Sequence, residues 1–444
     1  MPTRRGRPGD LLRALEGRLT PELRRILGEA HSLACEQGAQ LFAVGGGVRD
    51  LLLGAAQVDL DLVVLGHAHR FARRLAARLG VPVRAFRRFL TAKLSLPGGG
   101  TVDVAAARRE RYARPAALPQ VRPARGIEED LFRRDFTANA LAIGLSGERA
   151  GELIDPYGGT GDLREGRLRI LHPLSFRDDP TRAFRAARYA GRLGFHLERK
   201  SHTALREAAA SGAFGALSGV RVRNELIRIL EEGRPAPALA LVRRWGLFEA
   251  VHPGWRPGPG ALRRALGARR ALAELEARGG SLGVAAWLPS LLALVAEGAQ
   301  GEGAEVLLRL DLRGREAERW AAALSTLPRE VRRLGASEEL PPSEVAHRAA
   351  SLPPALLPLA AAWRPRSRAR GRILLYWERL RHLHPTLGGE ALRALGVPAG
   401  PPLGEALRRL RRALLDGEIA PGAESEGAFV RALLPSLTKP QKGH

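Results

Sequence analysis

Cysteine is nearly absent: the 444 residues contain one, Cys35. A single thiol excludes an intrachain disulfide and any cysteine-based zinc site, and it fits a reducing, cytoplasmic setting. Lysine is almost as scarce. Only Lys93, Lys200, Lys439 and Lys442 occur among the 71 basic residues, which leaves 67 arginines. Aromatic residues make up 5% of the chain. Long hydrophobic runs are missing too. The most apolar stretch, Leu282 to Ala296, is short, carries Pro289 and Ser290, and reads as a buried helix rather than a membrane span. The basic N-terminal stretch, Met1 to Asp10, is not followed by an apolar signal core. Acidic residues are in deficit, 46 against 71 bases, for a net charge of +25. Without a membrane anchor, that excess favours a polyanionic partner, nucleic acid first. A solvated, arginine-rich surface is the alternative reading of the same charge. The 45% hydrophobic and 26% charged residues are ordinary for a globular protein and exclude a chain disordered throughout.

Organisation changes along the chain. Leu11, Leu12, Leu15 and Leu19 recur at helical spacing within residues 1–40. Leu41 to Val44 then reads as a strand ending at Gly45-Gly46-Gly47, followed by a short helix from Val48 to Leu53. Val58 to Leu65 reads as a buried strand, His69 to Leu79 as an amphipathic helix, and Phe89 to Leu96 with Thr101 to Ala105 as a hairpin around Pro97. Residues 113–126, rich in Pro, Ala and Arg, read as a mobile loop, and Glu128 to Ile143 as a helix. From Asp178 onward helical patterns follow one another, punctuated by Pro and Gly, with no fixed-period repeat. The fold expected is therefore a small α+β head followed by a long all-α region.

Two features of the head carry chemistry. Asp59 and Asp61 stand at i and i+2 of an expected strand, so both carboxylates share a face. Such a pair repels and desolvates itself unless a cation lies between. Mg²⁺ suits it, because Mg²⁺ takes oxygen ligands and keeps substrate phosphates in its shell. Asp103, on another strand, would complete a three-carboxylate layout for displacement at phosphorus. Polar positions on an exposed edge strand would look the same. Gly45-Gly46-Gly47, between a strand and a helix, allows close backbone approach and free N–H groups for phosphate, with Arg49 adding charge. A plain tight turn is the simpler reading. Because glycine turn and Asp pair lie on consecutive elements, phosphates and metal can meet at one sheet edge.

Val44-Gly45-Gly46-Gly47-Val48-Arg49-Asp50 followed by Asp59-Leu60-Asp61 resembles the first motif of class II tRNA nucleotidyltransferases and bacterial poly(A) polymerases, members of the polymerase-β-like nucleotidyltransferase superfamily. The resemblance continues through Val102-Asp103-Val104-Ala105, Arg108 to Tyr112, Glu128 to Leu131, Arg133 to Ala140, Asp155 to Gly159, Asp178 to Arg182 and the helix with Arg221 and Glu225. The segment Gly396 to Glu418 is similar to the tail of tRNA-type members. The resemblance implies a catalytic head over residues 1–155, a base-reading neck over 156–252, a helical body over 253–375 and a tRNA-binding tail over 376–444. It also implies that Asp155-Pro156-Tyr157-Gly158-Gly159 is a hinge; the 113–126 loop is long enough to serve as the mobile element that A addition needs, which argues against a CC-only enzyme.

Arg134, Asp135 and Asn139 are expected on one helix, with Asp135 and Asn139 sharing a face. An Asp and an Asn together accept from and donate to a ribose hydroxyl; the resemblance implies that role and puts Arg134 near the triphosphate. Surface ion pairing with Glu128 to Asp130 competes as an explanation. Asp179 and Arg182, at i and i+3, can project together. A carboxylate only accepts and a guanidinium only donates. The pair therefore suits cytosine and adenine, which present an amino group beside a ring-nitrogen acceptor, and repels uracil and guanine. Helix capping is the competing use of an Asp here. Asp178 stands where the family pattern usually has Glu, a departure that touches the cap more than the pairing. Arg185 and Arg188 continue that face, and Glu225 would orient the group. Arg408, Arg409, Arg411 and Arg412 form a basic helix side expected to meet tRNA phosphate, unless it is merely solvated.

The implied reaction is template-independent addition of CCA to the 3′ end of tRNA from CTP and ATP, with Mg²⁺ and release of pyrophosphate. A-adding-only enzyme, poly(A) polymerase and a silent RNA-binding protein on the same fold are the alternatives. The intact Asp pair argues against the last.

Overall fold

The computed structural model describes residues 8–299 and 301–437. Most of the basic N-terminal stretch, together with Lys439 and Lys442, lies outside the described residues. The chain divides into two compact units, Met1–Glu225 with Pro237–Ala250, and Leu226–Ala236 with Val251–His444. No helix among the described residues is long and apolar enough to cross a membrane.

The first unit opens with helices α1 (Pro8–Arg18) and α2 (Pro21–Gln37). It continues β1 (Leu41–Val44), α3 (Gly46–Leu52), β2 (Asp61–Val64), α4 (Ala68–Leu79), β3 (Val83–Phe86), β4 (Thr91–Ser95) and β5 (Thr101–Ala106). Next come β6 (Arg108–Arg111), β7 (Gln120–Pro123), α5 (Ile127–Phe132), β8 (Ala142–Gly144), β9 (Leu153–Ile154), α6 (Gly159–Arg164) and β10 (Arg167–Leu168). Then follow α7 (Ser175–Asp178), α8 (Thr181–Leu193), β11 (His196–Leu197), α9 (Arg199–Ala210) and α10 (Gly219–Glu231), within which the unit boundary falls after Glu225. A seven-stranded mixed sheet, order β3-β4-β5-β2-β1-β8-β9, forms its centre. All four residues of β1 are buried, as a strand flanked on both edges and covered on both faces requires. In β5, Val102, Val104 and Ala106 point inward while Thr101 and Asp103 are exposed, the period-2 alternation of a one-sided strand. α4 lays Phe71, Ala72, Leu75 and Leu79 against β4 and β5. Each buried Phe or Leu among them contributes about 1.5–3 kcal/mol. β2 runs parallel to β5, and this register sets Asp61 directly beside Asp103.

Three expected elements differ. The strand that carries the Asp pair begins at Asp61, so Asp59 precedes it rather than lying on it. The 113–126 segment is not simply a loop: β7 pairs antiparallel with β6, from Arg108↔Pro123 to Arg111↔Gln120. The expected helix over 128–143 is broken. α5 ends at Phe132, residues Thr137–Asn139 form one 3-10 turn, and β8 follows. A distant segment breaks it: the Thr137 amide donates to the Arg169 carbonyl at 2.9 Å, and Phe136 bridges Ile170 while wholly buried. Arg134, Asp135 and Asn139 therefore do not share a helix. The Asp155 to Gly159 turn caps α6, the Asp155 carboxylate accepting from the amides of Gly159 (2.6 Å) and Thr160 (2.9 Å).

Among its described residues the second unit is helical. The helix Pro259–Gly279 packs against Leu288–Gly298 and Leu357–Trp363. Trp255 is fully buried with its indole N–H on the Leu294 carbonyl, 3.0 Å. A separate apolar cluster at the C-terminal end joins Leu392, Val397, Ala406, Leu410 and Val430.

Candidate active site

A cavity of about 480 Å³ in the first unit gathers most of the residues singled out above: Gly46, Gly47, Arg49, Asp59, Asp61, Arg134, Asp135, Asn139, Asp179, Arg182, Arg185 and Arg188 all line it. Asp103 is not in its lining. Arg408, Arg409, Arg411 and Arg412 belong to the other unit.

The glycine turn is dictated by what it touches. Gly45 has φ of 74°, the left-handed region that glycine tolerates without strain. A side chain at Gly47 would drive into the Asp59 carbonyl oxygen. The turn thus lies directly on the backbone of the Asp pair, which explains why both motifs occur on consecutive elements. Burial pushes the Asp61 carboxyl above its ordinary range, the Asp103 and Asp59 carboxylates add to that, and Arg134 opposes it. Asp103 is half exposed and lies 3.4 Å from Lys93 Nζ on the neighbouring strand. Asp59 and Asp61 line the cavity and offer oxygen donors of the kind a hard divalent cation takes, whereas Asp103 lies outside the lining, engaged with Lys93.

Beside it runs a closed polar chain. Arg49 Nη1 donates to Asn139 Oδ1 (2.6 Å), Asn139 Nδ2 donates to Asp135 Oδ1 (2.9 Å), and Arg185 Nε donates to Asp135 Oδ2 (2.8 Å). Thus Asp135 and Asn139 meet although no helix holds both. Burial alone would raise the Asp135 carboxyl; the Arg185 guanidinium and the Asn139 hydrogen bond overcome this and hold it at about 2. Because the folded value lies below the ordinary 3.8, the stabilisation is present above about pH 4 and lost as pH falls towards 2. Asp135→Asn is expected to remove about 2 kcal/mol of stability at pH 7 and to flatten that acid limb. Urea titrations from pH 7 to pH 2 on both proteins check it; parallel curves would mean that Asp135 does not carry the acid transition.

Asp179 and Arg182 open α8 but do not pair with each other. Asp179 Oδ1 accepts from the Thr181 amide (3.0 Å), the Thr181 hydroxyl (2.5 Å) and Arg221 Nη2 (2.7 Å). The cap and the cavity-lining position therefore coexist in one carboxylate, and its Oδ2 has no donor among the described residues. Arg182, 5% exposed, is held by Ser175 Oγ (2.6 Å) and the Arg133 carbonyl (2.8 Å). Glu225 is buried and lines the same cavity, and its charge acts on Arg185.

Tyr189 was not legible in advance. Its ring has the guanidiniums of Arg49, Arg185, Arg188 and Arg192 at 5.1, 5.6, 4.7 and 5.3 Å, and Phe136 stands edge-on at 6.1 Å. One aromatic ring thereby gathers four like charges at the cavity wall. The available signal was the i, i+3, i+4, i+7 spacing of Arg185, Arg188, Tyr189 and Arg192. Asp130 is not the surface charge that the competing ion-pairing explanation requires. It is fully buried, bonded to Arg133 at 2.8 Å and to Arg134 at 3.0 Å, and so fixes the arginine that faces Asp61.

In the second unit, Arg408, Arg411 and Arg412 line a cavity of about 590 Å³ with His347. Arg408 and Arg409 bond Glu405, at 2.7 Å each, and Arg409 also reaches Ser436. The four arginines therefore do not present one uniform face.

Comparison with known proteins identifies the family. Residues 41–169 match the family model of the poly A polymerase head domain, and residues 194–257 match one described as a probable RNA and SrmB-binding site of polymerase A. An A-adding tRNA nucleotidyltransferase of Geobacter sulfurreducens is 34% identical over 424 residues, 95% of this chain and 48% of that protein. One of Halalkalibacterium halodurans is 36% identical over 244 residues, 54% of this chain and 57% of that protein. The chain spans about half the length of these curated relatives. A solved CCA-adding enzyme in an apo form superposes with a TM-score of 0.82 at 30% identity, covering 96% of this chain and 98% of that one. The Thermotoga maritima CCA-adding enzyme complexed with tRNA superposes at 0.76 and 29% identity, again over 96% and 98%. On matched length, sequence and fold together, the chain belongs to the tRNA nucleotidyltransferase and poly(A) polymerase family.

Proposed function

We propose that the protein adds CCA to the 3′ end of tRNA from CTP and ATP without a nucleic-acid template. The observation that carries this reading is the single cavity in which Asp59, Asp61, the glycine turn, the Asp135–Asn139 chain and Asp179 with Arg182 meet. Superposition along nearly the full length of solved CCA-adding enzymes supports it. In this reading residues 1–155 are the catalytic head, 156–252 the base-reading neck, 253–375 the body and 376–444 the tail.

Asp59 and Asp61, with Asp103, would hold Mg²⁺, which when bound acidifies the attacking 3′-hydroxyl and neutralises the triphosphate. The backbone of Gly46 and Gly47 and the guanidiniums of Arg49, Arg134, Arg185 and Arg188 bind and orient the phosphates. Asp135 and Asn139 test the ribose hydroxyls. The tRNA 3′-oxygen forms its bond to the α-phosphorus as the bond to the departing pyrophosphate breaks. Asp179 Oδ2 accepts from the amino group of cytosine or adenine, and Arg182 donates to the ring nitrogen beside it. Uracil and guanine present a carbonyl oxygen to the carboxylate and are repelled.

A second reading is A addition alone, favoured by the A-adding name of the relative that aligns over 95% of this chain. Transcripts of tRNA ending before CCA, after C and after CC separate the two. The proposed enzyme completes all three with CTP and ATP. An A-adding enzyme extends only the CC-ended transcript, and extension of none returns the chain to a silent RNA-binding role.

The tail is proposed to hold tRNA phosphate through Arg408, Arg409, Arg411 and Arg412. Replacing all four with Gln is expected to lower tRNA affinity and its salt dependence while the KM for CTP stays unchanged. Filter binding across salt concentrations reads this out. Superimposable binding curves would return these residues to a solvated surface.

A further inference from the structure

A second basic cavity, of about 650 Å³, lies in the first unit at the other end of the catalytic strands. Gly66, just past β2, and Ala106, the last residue of β5, are in its lining. Asp103 lies three residues before Ala106 and Asp61 five before Gly66, about 10 Å or more away along the strands. Leu90, Ala106 and Pro123 give the cavity apolar surface. Around it stand Arg70, Arg73, Arg74 and Arg87, and no acidic residue is in the lining.

The arginines there differ from Arg78 on the same helix and from most of those on the tail helix. Arg70, Arg73 and Arg74 are at i, i+3 and i+4 of α4, so they share one face. Arg87 comes from the turn after β3. All four are exposed, and none has a carboxylate partner among the described residues. On the same helix, Arg78 is outside the cavity lining and pairs with Glu36. In the tail, Arg408 and Arg409 share Glu405, and Arg412 lies near Asp416. The head quartet is thus a more purely cationic surface than the tail helix. The first turn of α4 adds little, since its amides at Ala68 and Arg70 already bond Gly66 and His67. The attraction comes from side-chain charge.

We propose that this cavity binds the phosphate backbone of the tRNA substrate, as a docking surface on the head separate from the nucleotide cavity. Charge complementarity selects the occupant: four unpaired guanidiniums match the repeated single charges of an RNA backbone. The apolar surface carries no directed donor or acceptor, so the contact reads backbone rather than sequence. The proposal rests on tRNA being the substrate.

The test replaces Arg70, Arg73, Arg74 and Arg87 together with Gln, which keeps the stems and removes the charge. Arg78→Gln serves as the control on the same helix. Filter binding of CC-ended tRNA across salt concentrations should show the quadruple variant weaker by about tenfold or more, with a salt slope lower by roughly three, since each phosphate contact contributes about 0.7–0.9. Arg78→Gln should behave as wild type. Both variants should keep the melting temperature and the KM for ATP. A quadruple variant with the wild-type slope overturns the proposal while leaving tRNA extension by the wild type intact. Poly-aspartate that displaces no tRNA from the wild type at matched charge supports RNA. Binding of poly-aspartate at this surface in preference to tRNA, lost in the quadruple variant, would overturn it in favour of an acidic protein segment. A wild type that neither binds nor extends tRNA overturns the function proposed above together with this surface.

Discussion

Asp61→Asn is expected to reduce nucleotide incorporation at least about a thousandfold while leaving the protein as stable as wild type or more so. The two halves share one cause. Removing one charged oxygen from the metal ligand set forfeits several kcal/mol of transition-state stabilisation, and each 1.4 kcal/mol is a factor of ten in rate. In the fold, the ionised Asp61 is unfavourable, because burial and the neighbouring Asp103 and Asp59 carboxylates raise it above its ordinary range. A raised carboxyl is a destabilising one wherever it is ionised, that is, at pH values above its folded value. The amide of Asn relieves that repulsion. Melting curves without divalent metal should therefore place the variant at or above wild type. Added Mg²⁺ should raise the wild-type melting temperature and not that of the variant. Asp59→Ala should lose activity similarly. Asp103→Ala is expected to lose less, because Asp103 is half exposed and already paired with Lys93. An Asp61→Asn enzyme within tenfold of wild-type rate would sink the metal assignment.

The parts of this site legible in sequence are those fixed by local chemistry. Gly45 needs a left-handed backbone, and Gly47 must admit the Asp59 carbonyl, so both read out as glycine in a short motif. The register of β2 and β5 follows from two apolar strands carrying Asp at matching positions. Illegible were contacts made across long sequence separations. Local composition around Arg133 to Ala140 favours helix, yet the Thr137–Arg169 backbone bond and the burial of Phe136 override it. β7 lies in a segment whose proline and arginine content argues against a strand, and only pairing with β6 makes it one. Asp179 was expected to act with Arg182, three residues on, but its ion-pair partner is Arg221, on α10. Folding likewise brings His252 within 3.6 Å of both Glu302 and Glu305, which are distant from it in sequence. Local patterns report what a residue can do; the neighbours that hold it come from topology.

Asp179→Asn and Arg182→Ala are expected to erode base selection by different routes. Asp179 has one oxygen occupied: Oδ1 accepts from Thr181 and Arg221, and Oδ2 is left for a base amino group. Asn can keep its carbonyl on Thr181 and Arg221, which turns its amide nitrogen toward the base. The cavity then offers a donor where it had an acceptor. The amino groups of cytosine and adenine lose their partner, while the carbonyl of uracil gains one. An unmatched buried polar group costs about 1–3 kcal/mol, so kcat/KM for CTP and ATP should fall roughly ten- to a hundredfold while that for UTP rises. Arg182→Ala acts on the other half of the base edge. It removes the donor to the ring nitrogen and leaves Ser175 Oγ and the Arg133 carbonyl without their partner. CTP and ATP use should fall by a similar factor with little gain for UTP, and stability should drop as well, because the side chain is 5% exposed. Arg221→Lys separates capping from reading: it preserves a charge near Oδ1 and should leave the CTP-to-UTP ratio close to wild type. Single-turnover incorporation of each nucleotide into CC-ended and C-ended tRNA, alongside thermal melts, measures all three. An Asp179→Asn protein that melts lower but keeps the wild-type CTP-to-UTP ratio would reduce Asp179 to a helix cap and move base selection elsewhere in the cavity.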